Sequence, residues 1–201
     1  MLKSKSTIQN LLNKLVLGLL LIASVGCTMT EKRTEPDSDS FQIHFGKIDF
    51  DLGHTYESSW PLLKDWYATE STLTIGISDI DKYYWDSHVL LLTQKASQKF
   101  ESAFGGYPGP NTAFVTTVNG EPLYGGVFMV QFSAMGKWFP VIYIGTSDDR
   151  VAFIIRPTHD ATNSYKPSDD WRGIDDPRIR DILSKSGKIS LLPLPPITPE
   201  P

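Results

Sequence analysis

The 201-residue chain contains a single cysteine, Cys27, so it can form no internal disulfide. Its longest apolar run, Leu15 to Val25, is 11 residues. A membrane-crossing helix needs roughly 20. Catalytic signatures are also scarce. Gly76-Ile-Ser78-Asp-Ile80 lacks the second glycine of a nucleophile elbow. No Ser has a Lys three positions later, no His-Glu-x-x-His helix is present, and no Gly-rich loop ends in Lys-Ser or Lys-Thr. Positive charge is in short supply too: past residue 26 there are 16 Lys and Arg against 23 Asp and Glu, a net charge of −7. An acidic body has no electrostatic footprint for a phosphate backbone, which argues against nucleic acid as a partner. These absences lean away from an enzyme without excluding one, because triads assemble in space.

What is present at the start is an address. Lys3, Lys5 and Lys14 precede the 11-residue apolar run, which small residues follow, the layout of a cleaved secretory signal over residues 1–26. The run leads into Ala23-Ser24-Val25-Gly26-Cys27. This segment resembles the lipobox of bacterial lipoproteins, with Gly26 before the cysteine and Ser24 where Leu is commonest. The resemblance implies a diacylglyceryl thioether on Cys27, an acylated new N-terminus and a membrane anchor outside the cytoplasm. Thr28, in place of Asp, implies outer-membrane sorting in a host with two membranes. Residues 27–40 have almost nothing to bury and read as a flexible tether.

Residues 41–190 read as a single α+β domain: a mainly antiparallel sheet of five or six strands with two or three helices. Alternation or β-branched runs predict strands at Phe41–Phe45 (with Ile48, Phe50 and Leu52 extending it), Leu73–Ile77, Val89–Thr93, Thr112–Val118, Glu121–Tyr124, Val127–Phe132, Val141–Ile144 and Val151–Ile155. Asn119-Gly120 is a type I′ hairpin signal, and Gly125-Gly126 predicts a bulge or tight turn. Helices are expected from a Ser59 cap with Pro61 in the first turn, from a Thr93 cap over Gln94–Phe104, and from Asp176-Pro177 to about Gly187. Residues 191–201 hold five prolines and read as an extended or disordered tail, either a ligand for another protein or an end packed down by Leu191, Leu192 and Leu194.

The stretch Leu90 to Phe100, followed by Ala113 to Glu121, is similar to the head part of the periplasmic region of SecD-type export components. There too a strand leads into a Phe-bearing helix, then a strand and a turn. The likeness covers about a fifth of the chain. It implies an α+β layout and, as a third functional reading, an accessory of protein export.

His44, His54, His88 and His159 form no same-face pair, so no metal site and no cofactor is predicted. His44 and His88 are expected beside strands with hydrogen-bonded rings. The acid pairs at Asp79/Asp81, Asp148-Asp149, Asp169-Asp170 and Asp175-Asp176 are more simply turn formers and helix caps than calcium ligands. Exposed aromatics are the candidate binding surface: Tyr83, Tyr84 and Trp85 before a buried strand, Tyr107 in a Gly/Pro loop, and Trp138 in the Phe132–Pro140 connection. The reading that emerges is a lipid-anchored, non-catalytic envelope protein that binds a protein or another envelope component. The alternative is an envelope hydrolase or peptidoglycan-modifying enzyme, which requires His88 or His44 to meet Asp and Ser or Tyr side chains in a polar cleft.

Overall fold

In a computed structural model of the chain, the structure describes residues 40–52, 55–105, 108–109, 111–130, 139–158 and 173–199. The leader, Cys27, the tether, Tyr107, Trp138, His54, His159 and Asp169-Asp170 lie outside the described residues.

Among the described residues nine strands form one sheet: β1 (Phe41–Lys47), β2 (Leu73–Gly76), β3 (Ile80–Tyr84), β4 (Val89–Leu92), β5 (Thr112–Val118), β6 (Glu121–Phe128), β7 (Val141–Ser147), β8 (Arg150–Arg156) and the two-residue β9 (Thr198–Pro199). Eight of them run in the order β2-β1-β5-β6-β7-β8-β4-β3, and β9 pairs with β7. Every pairing is antiparallel except β6 with β7, where Val127 and Phe128 face Val141 and Ile142 in parallel. Among the described residues the fold is therefore α+β with three helices, within the two or three expected, but the sheet is wider than five or six strands and is mixed.

Three local differences from the expected layout stand out. Ile80–Tyr84, whose last two residues the sequence places in an aromatic patch with Trp85, forms strand β3, with Ile80 and Tyr83 turned inward and the rest of the strand half-buried. Residues Gly125 and Gly126 do not interrupt β6. A Cβ on Gly126 would fall on the carbonyl oxygen of Pro140, and one on Gly125 would lie 2.6 Å from that of Phe114. These glycines serve close backbone approach rather than a turn. The irregularity sits instead at Leu123, where the register slips between Thr116–Tyr124 and Thr117–Pro122. Finally, Gly145 to Arg150 is not a loop: β7 runs through Gly145 to Ser147, and Asp148-Asp149, both with positive φ, make the tight turn into β8. Asp tolerates the left-handed region better than most side chains.

The three helices are α1 (Tyr56–Glu70), α2 (Gln94–Phe104) and α3 (Pro177–Lys185). Helix α1 begins three residues before the expected Ser59 cap. Thr55 caps it, accepting from the Ser58 amide at 3.4 Å, and Pro61 falls beyond the first turn. Ser59 instead donates to the Thr55 carbonyl at 2.9 Å. The other two helices follow their sequence signals. Thr93 accepts from Ala96 N at 3.2 Å, and Gly105 closes α2 in the left-handed region. Asp176 accepts from Arg178 N at 2.9 Å, with Pro177 in the first turn of α3.

Alternation along the strands divides the core. Phe41, Ile43 and Phe45 of β1 face α2 and α3, together with Phe114, Phe128 and Phe153. Four rings from four elements, Phe45, Phe100, Phe128 and Phe153, all meet pairwise with centroids 5.0–6.1 Å apart. The opposite face packs Ala113, Val115, Val127 and Val141 against Leu63 and Trp66 of α1. Further along that face, Val89, Leu91, Ala152 and Ile154 are covered by Tyr84, Tyr143 and Ile197. All buried apolar side chains among the described residues lie between Phe41 and Leu183. No described helix is long and apolar enough to cross a membrane.

Segments expected to be extended tails or strand continuations behave differently from one another. Residues 48–52 leave the sheet after Lys47. The proline-rich end returns to it: Thr198 pairs with Thr146 and Pro199 with Gly145. The C-terminal leucines are not what packs it down. Leu191, Leu192 and Leu194 are 96%, 75% and 41% exposed, and Ile197 makes the apolar contact instead.

Candidate functional site

The end of the sheet where β3 and β4 meet concentrates the polar chemistry. A 3₁₀ turn, Trp85–Ser87, connects these two strands and is closed by His88, whose amide donates to the Trp85 carbonyl at 3.1 Å. His88 adopts φ 48° and ψ 46°, a left-handed conformation that costs a non-glycine residue about 1 kcal/mol or more. The strained backbone turns the imidazole back over the sheet, where the residue is 8% exposed.

Both ring nitrogens are engaged. Nδ1 lies 3.1 Å from the Tyr83 hydroxyl and Nε2 lies 3.1 Å from Asp175 Oδ1. The arrangement is satisfied when a neutral ring donates Nε2–H to the carboxylate and Nδ1 accepts from the phenol. Burial holds the His88 pKa below its ordinary value; Asp175 pulls it up, Arg156 pushes it down, and Asp86 and the Asp175 hydrogen bond again raise it. Tyr83, 1% exposed, has its ionisation pushed well up, first by burial and then by Tyr124 and Asp175. Tyr124, also fully buried, is pushed up to about 12 for the same leading reason. Such phenols stay protonated and act as donors, not nucleophiles. With its two nitrogens held by Tyr83 and Asp175, His88 has no lone pair directed at a substrate, unlike the base of a hydrolytic triad.

Trp85 joins this buried cluster to the surface. Its ring meets His88 edge-on at 5.8 Å and Tyr83 at 5.7 Å, and the Arg180 guanidinium of α3 lies 5.6 Å from its centroid. Outside it runs a half-open groove of about 490 Å³, lined by Tyr84, Trp85, Asp86 and Arg180 together with Leu191, Leu192 and Leu194.

Of the aromatics proposed as a binding surface, Tyr84 and Trp85 are half-buried and line this groove. Tyr83 is a correction. It belongs to the core, because the register shift between Ile80 and Lys82 brings it to the same inward face as Ile80, where its hydroxyl meets His88. Asp175 and Arg180 are the contributors without a local sequence signal. Asp175 lies 87 residues beyond His88, and only the docking of α3 brings them together.

The remaining candidates are spoken for structurally. His44, on β1, places Nδ1 3.2 Å from Thr74 Oγ1 and Nε2 3.3 Å from Thr117 Oγ1, beside the Tyr67 ring; burial brings its pKa down to about 4. Asp79 accepts from Gly76 N at 3.1 Å, and Asp81 binds Arg150 at 2.6 Å. Among the described residues no three His, Cys, Asp or Glu side chains gather as a metal-ligand set.

The class of protein defined here is a mixed-sheet α+β domain with a groove at one sheet end. Comparison with protein-family models, with curated proteins and with solved structures found no match to this chain.

Proposed function

We propose that the protein is a lipid-anchored, non-catalytic envelope domain, tethered through Cys27 outside the cytoplasm, that binds a protein or another envelope component. In a host with two membranes its place is the outer membrane. The observation that supports binding over catalysis is the groove lined by Tyr84, Trp85 and Arg180 together with the exposed Leu191, Leu192 and Leu194. Aromatic and arginine side chains at a partly desolvated surface are typical binding anchors. Anchoring and binding are tested separately. Mass spectrometry of the mature product, with membrane fractionation of Cys27→Ala, tests the first: an unmodified thiol, or full membrane retention of the variant, overturns it. For the second, envelope extracts are passed over wild type and Trp85→Ala; a partner retained equally by both places recognition elsewhere.

An envelope hydrolase is the second reading, favoured by the meeting of His88 with Tyr83 and Asp175. It requires His88 to leave one of these partners when substrate binds. Loss of a measured hydrolytic activity in His88→Asn, with the fold intact by circular dichroism, would establish it.

A further inference from the structure

Leu191, Leu192 and Leu194 occupy a segment fastened at both ends. On the near side Tyr83 N donates to the Lys188 carbonyl at 2.8 Å, and Ser190 N donates to the Tyr83 carbonyl at 2.9 Å. On the far side Thr198 and Pro199 pair with β7, and Ile197 packs on the sheet. Between these anchorages, three of the six residues 191–196 are proline, which fixes φ and leaves little freedom to lose on binding. The leucines are thus presented outward on a stiff strap, with exposures of 96%, 75% and 41%.

The strap lies in the basic part of an acidic chain. Residues 27–176 contain 12 Lys and Arg against 21 Asp and Glu, whereas residues 177–201 contain four against two. The net charges are −9 and +2; Arg178 pairs with Glu121 and Asp176 and Lys185 with Asp181, so Arg180 is the cation that lines the groove. Beside the leucines stand Tyr84 and Trp85, side-chain types that favour the boundary between hydrocarbon and water, and Arg180. Asp86, exposed at the same groove, is its acidic member.

We infer that the Leu191–Leu194 strap is a membrane-contacting loop: its leucines enter the acyl boundary of an anionic bilayer while Trp85 and Arg180 sit at headgroup level. This deepens the envelope reading and rests on it for the bilayer's being within reach. Its physical basis does not involve Cys27. Apolar insertion plus attraction to anionic headgroups is the two-part signal that gives stable surface binding.

The test uses the unacylated chain from residue 28 onward, which keeps every buried residue among those described. It is mixed with vesicles of phosphatidylethanolamine and phosphatidylglycerol, and flotation is measured. Wild type should float. Leu191→Asn/Leu192→Asn, at exposed positions that leave the fold intact by circular dichroism, should bind roughly tenfold more weakly or worse. Arg180→Gln should lose several-fold on these vesicles and nothing on neutral phosphatidylcholine. Failure of wild type to float, or flotation of the double variant equal to wild type, overturns the inference. Either result leaves the Cys27 fractionation test standing, so the two failures are distinguishable. If the double variant instead loses a protein partner while floating normally, the strap is a protein-docking surface and the bilayer assignment is wrong.

Discussion

Among the described residues His44 carries the clearest acid liability. Its folded-state pKa lies near 4 against about 6.5 for a free imidazole, and burial is the cause. The unfolded chain therefore takes up the proton first as pH falls. Stability is full above pH 6.5 and is lost progressively between there and pH 4, by up to about 3 kcal/mol for this residue. His88 adds to the loss in the same direction. Urea midpoints at pH 7.5, 6 and 4.5 check this, and His44→Gln should flatten the curve. An unchanged midpoint in wild type would contradict the buried neutral ring. A second contrast at this scale concerns two glycines. Gly126→Ala places a methyl group on the Pro140 carbonyl and should cost at least 3 kcal/mol or prevent folding, whereas Gly76→Ala meets nothing within 4 Å and should be near neutral. Thermal melts of both variants distinguish close approach from mere chain flexibility.

At the scale of elements, legibility followed how local the governing physics was. Helix α2 could be read residue by residue because its cap, apolar stripe and closing glycine are all carried by residues 93–105. The Asn119-Gly120 turn was equally plain: both residues have positive φ, and the Asn119 side chain accepts from Ser40 N at 3.0 Å. Strand β3 was not legible, since Lys82-Tyr-Tyr84 becomes a strand only by pairing with β4 and with Ile189, over a hundred residues away. The candidate site divides the same way. Tyr84 and Trp85 were visible as aromatics, but the inward turn of Tyr83 and the arrival of Asp175 are set by tertiary contacts. Ser97 shows how much such a contact can carry. Its hydroxyl donates to the Thr93 carbonyl at 3.1 Å and accepts from the buried Val151 amide at 2.9 Å, tying α2 to β8. Ser97→Ala should leave that amide unpaired at a cost of about 1–3 kcal/mol, and amide exchange at Val151 should quicken more than exchange elsewhere in β8.

Across the whole molecule, the sheet's exposed hydrogen-bonding rows are blunted by pieces from distant parts of the chain. On β2, Lys99 Nζ donates to the Thr74 carbonyl at 2.8 Å; on β3, residues 188–190 lie alongside Tyr83. The remaining gap opens where β6 leaves β7 after Phe128, and there β9 takes over at Gly145 and Thr146. Gly145 permits this approach, since a Cβ would lie 2.5 Å from Ile197 Cγ2 and 3.0 Å from the Thr198 carbonyl. The C-terminal segment therefore closes an edge and covers the Val89, Leu91 and Ile154 cluster at once. A chain ending at Ser190 retains the Phe-rich core and should still fold. It should lose about 2 kcal/mol through the uncovered apolar surface and should associate through the bared strand. Light scattering against concentration reads the association, and hydrogen exchange reads the edge, with Gly145 to Ser147 losing protection ahead of Val151 to Ile155. Gly145→Val in the full-length chain tests the same closure without deletion, because the branched side chain excludes β9 while leaving its sequence in place. The two variants should then share one exchange pattern; a monomeric truncation with β7 still protected would show that β6 and β8 hold the edge unaided.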